Sequence, residues 1–192
     1  SGYAFSRSVL SVGVTLTIPM VTNAEDMFKG ISHDKPDNIP YVDIYASDSL
    51  ERLSFMFKDC NIDGSVSISN TQQQFIPDID CEEMFRGSTI SKNVTIHGYH
   101  VKNAVGMFQA TQYFDAHTNL RFAPEPILNY MFYNSVAFNG NTFLNDASIT
   151  RNLIFPDPEE VAPEERIENM FLTCCQNMTC NVTKSLYEIF EP

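Results

Sequence analysis

Residues 17–30 read TIPMVTNAEDMFKG, and the Met-Phe dipeptide at the end of this stretch returns throughout the chain. Six Met-Phe pairs occur, and successive methionines are 29, 28, 23, 24 and 39 residues apart. A motif that recurs at intervals of this size is typical of solenoid proteins, in which each copy marks one stacked unit. The copies begin at Met27, Met56, Met84, Met107, Met131 and Met170.

The residues around each Met-Phe pair also repeat. The third residue before each methionine is apolar or small, and several of the third residues after it are Gly, Asp or Asn. Apolar residues at i, i+3 and i+4 predict one face of a helix, and Gly, Asp and Asn tolerate the left-handed backbone that ends one. The pattern therefore predicts a short helical turn at each pair. The third residues after the methionines are Gly30, Asp59, Gly87, Ala110, Asn134 and Thr173.

A second repeated element lies between the Met-Phe pairs. It alternates apolar and variable residues, which is the two-residue period of a short strand. We predict one strand in each unit, with two columns of apolar side chains pointing inward. The copies are LTI at Leu16, VDI at Val42, VSI at Val66, VTI at Val94, LRF at Leu120, LIF at Leu153 and a weaker CNV at Cys180.

Together these elements predict an α/β repeat, a leucine-rich-repeat solenoid with a parallel β-sheet on one face and short helical turns on the other. The solenoid is expected to span residues 12–184. Residues 1–11 and 185–192 contain apolar side chains and are expected to form terminal flanks or caps.

The stretch from Thr17 to Gly30 resembles the BspA-like leucine-rich repeat of bacterial surface proteins and some phage structural proteins. The matching residues are Val21, Thr22, Asn23, Met27, Phe28 and Gly30, and MFKDC ending at Cys60 and MFLTC ending at Cys174 match a cysteine-containing form of the motif. The resemblance implies a module exposed at a cell surface or on a virion. The chain departs from the pattern because it has no tryptophan and because its repeat length drifts.

Composition restricts the classes of function. Lys and Arg number 12 against 24 Asp and Glu, so the formal net charge is −12. This balance argues against binding to a nucleic-acid backbone. No apolar run approaches the roughly 18 residues of a membrane span, so membrane insertion is not expected. A hydrophobic fraction of 43% predicts a folded core.

The sequence contains no catalytic signature. A nucleophile elbow, a phosphate-binding loop and a dinucleotide fingerprint are all missing, so we expect neither an enzyme nor a resident cofactor. Four of the five cysteines, Cys60, Cys81, Cys174 and Cys180, fall in the repeat columns and are interpreted as small buried core residues.

One segment has the spacing of a calcium-binding loop. Asp59, Asn61 and Asp63 alternate and are followed by Gly64, as at the start of such a loop. The twelfth position, which should be glutamate, is Asn70. The alternative interpretation is a polar turn that precedes a strand.

Two surfaces are candidate binding sites. The outward side of the predicted sheet is polar and contains tyrosines, and solenoids use such faces to bind proteins or glycans. A proline-rich acidic insertion lengthens the last repeat and could dock a basic partner. The alternative in both cases is plain solvation. The residues are Tyr41, Asp43, Tyr45, Thr95, His97 and Arg121 on the sheet face, and Asp157, Glu159, Glu160, Glu164 and Glu165 in the insertion.

The sequence thus predicts a non-catalytic interaction or structural module. Its expected role is attachment or assembly on a phage virion or bacterial cell surface, and its expected partners are proteins, either other subunits of that assembly or a host receptor. The alternative is a glycan- or calcium-dependent adhesin that uses the open sheet face.

Overall fold

Seven strands follow one another in chain order along one parallel sheet in the computed structural model of this chain. The structure describes residues 4–5, 12–31, 39–72, 75–114, 118–139, 142–143, 149–154 and 178–182. Within these ranges the strands are β1 (Val14–Ile18), β2 (Val42–Ala46), β3 (Asn61–Ile62), β4 (Val66–Asn70), β5 (Asp78–Asp80), β6 (Thr89–Ile90), β7 (Val94–His97), β8 (His100–Asn103), β9 (Gln112–Phe114), β10 (Thr118–Ile127), β11 (Val136–Asn139), β12 (Thr142–Phe143), β13 (Ile149–Ile154) and β14 (Met178–Val182).

Three parallel ladders run along the molecule. The longest follows the order β1-β2-β4-β7-β10-β13-β14. A second joins β5, β8 and the end of β10, and a third joins β3, β6, β9 and β11, to which β12 adds an antiparallel edge. Successive units therefore pair with one another on several sides. This arrangement is a parallel β-solenoid, which confirms the predicted repeat stacking with a parallel sheet.

The helical turns predicted at the Met-Phe pairs are absent from the described part of the chain. No residue in the described ranges is helical, and five Met-Phe pairs lie in runs of hydrogen-bonded turns. The part of the chain that the structure describes is therefore all β, and the prediction of an α/β repeat is wrong for the five copies that begin at Met27, Met56, Met84, Met107 and Met131.

Alternating backbone hydrogen bonds explain why these turns are not helices. The N–H of Phe57 donates to the carbonyl of Met84 in the next unit at 2.9 Å, whereas the neighbouring N–H of Met56 donates to Leu53 within its own turn at 3.1 Å. An α-helix would direct every donor to the carbonyl four residues back. Because every second donor is bonded to the next unit, the chain forms linked β-turns instead.

Two residues in each turn adopt positive φ. The residue before methionine has φ between 48° and 59°, and the third residue after it has φ between 54° and 70°. The recurrent Gly, Asp and Asn at the later position thus do mark a left-handed backbone, but this backbone closes a β-turn rather than a helix. The residues are Asp26, Phe55, Glu83, Gly106 and Tyr130 before methionine, and Gly30, Asp59, Gly87, Ala110 and Asn134 after it.

The phenylalanines of the motif stack in one column through the core. Neighbouring ring centroids are 5.1–5.4 Å apart and the ring planes are within 10° of parallel. The rings from Phe28 onward are fully buried, as are the preceding methionines apart from a small exposed edge on Met27. The column comprises Phe5, Phe28, Phe57, Phe85, Phe108 and Phe132.

Phe5 shows that the repeat has a further, degenerate copy. Its ring stacks on Phe28, and its N–H donates to the carbonyl of Met27 at 2.8 Å, just as Phe28 donates to Met56 at 2.9 Å. Ala4 and Phe5 therefore occupy the Met-Phe position. The sequence signal is the interval of 23 residues between the two phenylalanines, which equals the shortest Met-Phe interval.

The strand register differs from the predicted alignment by two residues. Leu16 and Leu120 were expected beside Val42 and Val94, but Val14 and Thr118 are the observed partners. Leu153 likewise pairs with Val182 rather than Cys180. A shift of two keeps every side chain on the same face, so the alternation of apolar residues cannot detect it.

The ring column leads to a test of stability. Replacing Phe85 with alanine removes a ring stacked on both sides and leaves a cavity, so the free energy of unfolding should fall by about 3–5 kcal/mol. Urea denaturation monitored by circular dichroism measures the change. Phe75→Ala is the matched control because Phe75 is 59% exposed, and it should cost under about 0.5 kcal/mol. Equal losses in the two variants would contradict the proposed importance of the column.

Candidate functional site

The outward side chains of β1, β2, β4 and β7 form regular rows across the long sheet. We call this surface, together with Tyr41 and Arg121, the outer face. Adjacent strands in such a sheet lie about 4.8 Å apart, and every second residue along a strand is about 6.6 Å from the last. One row is Thr15, Asp43, Ser67 and Thr95, and the next is Thr17, Tyr45, Ser69 and His97.

The structure places five of the six predicted sheet-face residues on or just before two strands, β2 and β7, which lie on either side of β4. Asp43 and Tyr45 lie in β2 and Tyr41 immediately precedes it, whereas Thr95 and His97 lie in β7. Arg121 is exposed in β10, two residues beyond Asn119, the partner of Thr95. Aligning the LRF copy with the VTI copy predicted that Arg121 would share the row of Thr95. In the observed register it lies one row further along.

Tyr41 and Tyr45 are large aromatic side chains left open to solvent. They are 43% and 42% exposed, respectively. The ring of Tyr41 lies over Gly13, because a Cβ on that glycine would come within 1.9 Å of the tyrosine Cε1. Glycine at position 13 thus allows the tyrosine ring to lie against the backbone of the neighbouring chain segment.

The polar groups of the outer face have no partners among the described residues. Neither a hydrogen bond nor an ion pair engages the side chains of Asp43, Tyr45 or His97 within those ranges. The face therefore presents polar groups that a ligand can reach without first breaking an internal bond.

A cluster of charges on the Met-Phe turns contrasts with the outer face and was not predicted from the sequence. Lys58 Nζ lies 2.6 Å from Glu83 and 5.3 Å from the Phe55 ring centroid, and Arg86 also donates to Glu83. Burial alone would raise the pKa of Glu83, but the bonds to Lys58 and Arg86 lower it overall. These charges are matched with each other, so the cluster stabilises stacked turns.

The three calcium candidates occupy different environments. Asp59 lies in a turn with φ of 57°, Asn61 is in β3, and Asp63 is exposed. Asn70, the twelfth position, donates to Asp48 at 2.6 Å and to the carbonyl of Gly98 at 3.2 Å. In the described residues no group of three or more His, Cys, Asp and Glu side chains is arranged to hold a metal ion. The calcium site stays a prediction.

The acidic insertion lies outside the described residues. Its members Asp157, Glu159, Glu160, Glu164 and Glu165 therefore remain a prediction from the sequence. The same holds for Cys174, for the sixth Met-Phe pair at Met170, and for residues 185–192.

The column four residues after methionine has a role that the sequence analysis missed. Its side chains donate hydrogen bonds to the phenylalanine carbonyl of the preceding unit, including Cys60 Sγ to Phe28 at 2.9 Å and Thr111 Oγ1 to Phe85 at 2.7 Å. Ser88 and Ser135 do the same. The sequence did contain a sign of this role, because Ser, Thr and Cys at this position all carry a side-chain hydrogen-bond donor.

The buried titratable groups belong to the core. Burial raises the pKa of Cys60 to about 12 and raises the pKa of Cys81 well above its usual range. Burial also raises the pKa of Tyr99, whose hydroxyl donates to the carbonyl of Ser47 at 2.9 Å. A thiol held protonated is a poor nucleophile, so neither cysteine is suited to covalent chemistry.

Comparison with known proteins identifies no relative of this chain. No family model matches the chain, and no curated protein or solved structure matches it either. A search of the described residues for helices long and apolar enough to cross a bilayer finds none. The outer face, supported by its geometry alone, is the candidate functional site.

The raised pKa of Cys60 predicts a pH dependence of stability. In the unfolded chain a thiol ionises near its ordinary pKa of about 8.5, whereas the folded protein holds Cys60 protonated up to about pH 12. The contribution of Cys60 to the free energy of unfolding is therefore complete below the pKa of the unfolded chain. It is lost as the pH rises toward 12, and the free energy of unfolding falls by up to about 1.4 kcal/mol per pH unit. Urea unfolding at several pH values above 8 measures the slope.

Cys60→Ser is the matched variant for this measurement. It keeps a donor to the Phe28 carbonyl, as Ser88 does in the next unit, but removes the titrating group. We expect a shallower alkaline loss of stability than in the wild type, with the remainder due to other groups such as Cys81. Identical slopes in the two proteins would contradict the assignment.

Proposed function

We propose that this chain is a non-catalytic binding module of the BspA-like leucine-rich-repeat type, acting in attachment or assembly at the surface of a bacterial cell or virion. The observation that supports the proposal best is the outer face, a regular array of exposed and half-buried polar and aromatic side chains that have no partners among the described residues. The partner is a protein subunit or receptor, or the glycan coat of such a surface.

The rigidity of the solenoid supports a binding role. Three backbone ladders and the ring column hold the rows of the outer face at fixed spacing. A preformed face loses little conformational entropy when it binds, so its contacts contribute more fully to affinity.

The resemblance to the BspA-like repeat supports a role at the surface of a bacterial cell or virion. Val21, Thr22 and Asn23 followed by the Met-Phe pair at Met27 match the BspA-like motif, whose known members act outside the cell or on phage particles. The absence of a catalytic signature from the sequence is consistent with a module that only binds.

A charge reversal on the outer face tests the proposal. Asp43→Lys places a long cation in the centre of the rows, and Lys102→Glu is the control because Lys102 is exposed on β8, in another ladder. Labelled protein is incubated with intact cells of a panel of bacteria and with purified bacterial surface and virion proteins. We expect the wild type and Lys102→Glu to be retained on a subset of them, and Asp43→Lys to be retained at least tenfold less.

Two results would contradict the proposal. One is a lack of retention on every cell and protein of the panel. The other is retention that Asp43→Lys leaves unchanged, since the partner would then bind elsewhere. Circular dichroism of each variant establishes that the solenoid is intact.

A further inference from the structure

We propose that the outer face binds a neutral linear oligosaccharide, with Tyr41 and Tyr45 as two stacking platforms and Asp43 as the hydrogen-bond acceptor between them. This inference rests on the proposed function, because it names the ligand class of the same face. Its evidence is the position of the two rings, the unpaired carboxylate of Asp43 between them and the polar residues that fill the two outward rows.

The two tyrosines are placed as successive platforms along one strand. They are four residues apart and both open to solvent, so their Cα atoms are separated by roughly 13 Å in extended chain. This distance exceeds the width of a single sugar ring. An aromatic face attracts the C–H groups on one side of a sugar through its negative quadrupole. The spacing therefore suits an oligosaccharide that reaches from one ring to the other.

Gly13 fixes the orientation of the first platform. A Cβ at position 13 would overlap the Tyr41 ring, with distances of 1.9–2.4 Å to three ring carbons. The ring therefore lies over the neighbouring chain segment rather than projecting freely. A ring lying on the surface offers its outer side for stacking, and Gly13 acts as a positioning residue.

Hydrogen-bonding groups occupy the space between and beside the rings. Asp43 lies midway between the tyrosines and has no side-chain partner among the described residues. A free carboxylate accepts charge-assisted hydrogen bonds from adjacent hydroxyl groups of a sugar. Beside it, Thr15 and Ser67 share its row and Thr17, Ser69 and His97 share the row of Tyr45, so donors and acceptors surround both platforms.

The composition of the face favours a sugar over a protein partner. The fully buried centre of a protein interface is apolar and depleted in charge, whereas the centre of this face is a carboxylate among hydroxyl groups. The large exposed aliphatic residues and the exposed phenylalanine lie outside these rows. They are Val12, Met20, Phe75, Ile76 and Ile127. The net charge of −12 and the free Asp43 repel acidic glycans, which leaves neutral ones.

Titration calorimetry with defined sugars tests the inference. The probes are cellohexaose, maltohexaose, chitohexaose and mannohexaose, together with the corresponding monosaccharides. We expect at least one hexasaccharide to bind at least tenfold more tightly than its monosaccharide. Tyr45→Ser and Asp43→Asn should each weaken that binding by tenfold or more.

Two further variants separate positioning from folding. Gly13→Ala retains the Tyr41 ring but displaces it from the sheet, so it should also weaken binding while the thermal unfolding midpoint stays near that of the wild type. Tyr133→Ser removes a tyrosine of the Met-Phe turns, away from the outer face. Its affinity for the sugar should be that of the wild type.

The same variants on the panel of bacterial cells and surface proteins distinguish failure of this inference from failure of the proposed function. Retention on surface proteins that Tyr45→Ser abolishes, with no sugar bound, would overturn the oligosaccharide assignment and leave the proposed function standing. Sugar binding that Tyr45→Ser and Gly13→Ala leave intact would also overturn it. No binding to sugars, cells or proteins would contradict both.

Discussion

The alternate use of backbone N–H groups in the Met-Phe turns is the constraint on which the rest of the structure depends. One donor closes a turn within its own unit and the next donates to the following unit, as Met56 and Phe57 show. This division prevents an α-helix and fixes the distance between units at that of a parallel ladder. The phenylalanine rings can then stack at 5.1–5.4 Å, and the Ser, Thr and Cys donors of the column after methionine reach the carbonyls of the preceding unit.

The same spacing gives the outer face its character. Because each unit adds one strand to the long sheet, outward side chains recur in straight rows, and residues far apart in sequence, such as Tyr45 and Ser69, become neighbours in one row. On the Met-Phe turns Lys58 pairs with Glu83, whereas Asp43 and His97 on the outer face have no partner among the described residues. This contrast favours the outer face over the turns as the candidate binding surface.

Much of the architecture was predictable from local pattern. The Met-Phe intervals established the repeat, and the alternation at Val42, Val66 and Val94 identified strands and their inward side chains. The helical interpretation failed because apolar residues at i, i+3 and i+4 also fit linked β-turns whose φ angles are positive at Phe55 and Asp59. The six residues predicted for the sheet face lie on the outer face, but Arg121 moved by one row, since alternation has a period of two and is blind to a shift of two.

The sequence by itself determined the spacing of the six Met-Phe motifs, the burial of methionine and phenylalanine in the five described copies, and the side of each strand that faces outward, because these depend on residue type and short-range periodicity. Only the tertiary structure decided whether a donor bonds within its unit or to its neighbour, since that choice depends on the next unit's carbonyl being in reach. It also decided that Ala4 and Phe5 continue the column and that Tyr41 lies over Gly13. These relations join residues 22 or more positions apart, and they exist only once the units are stacked.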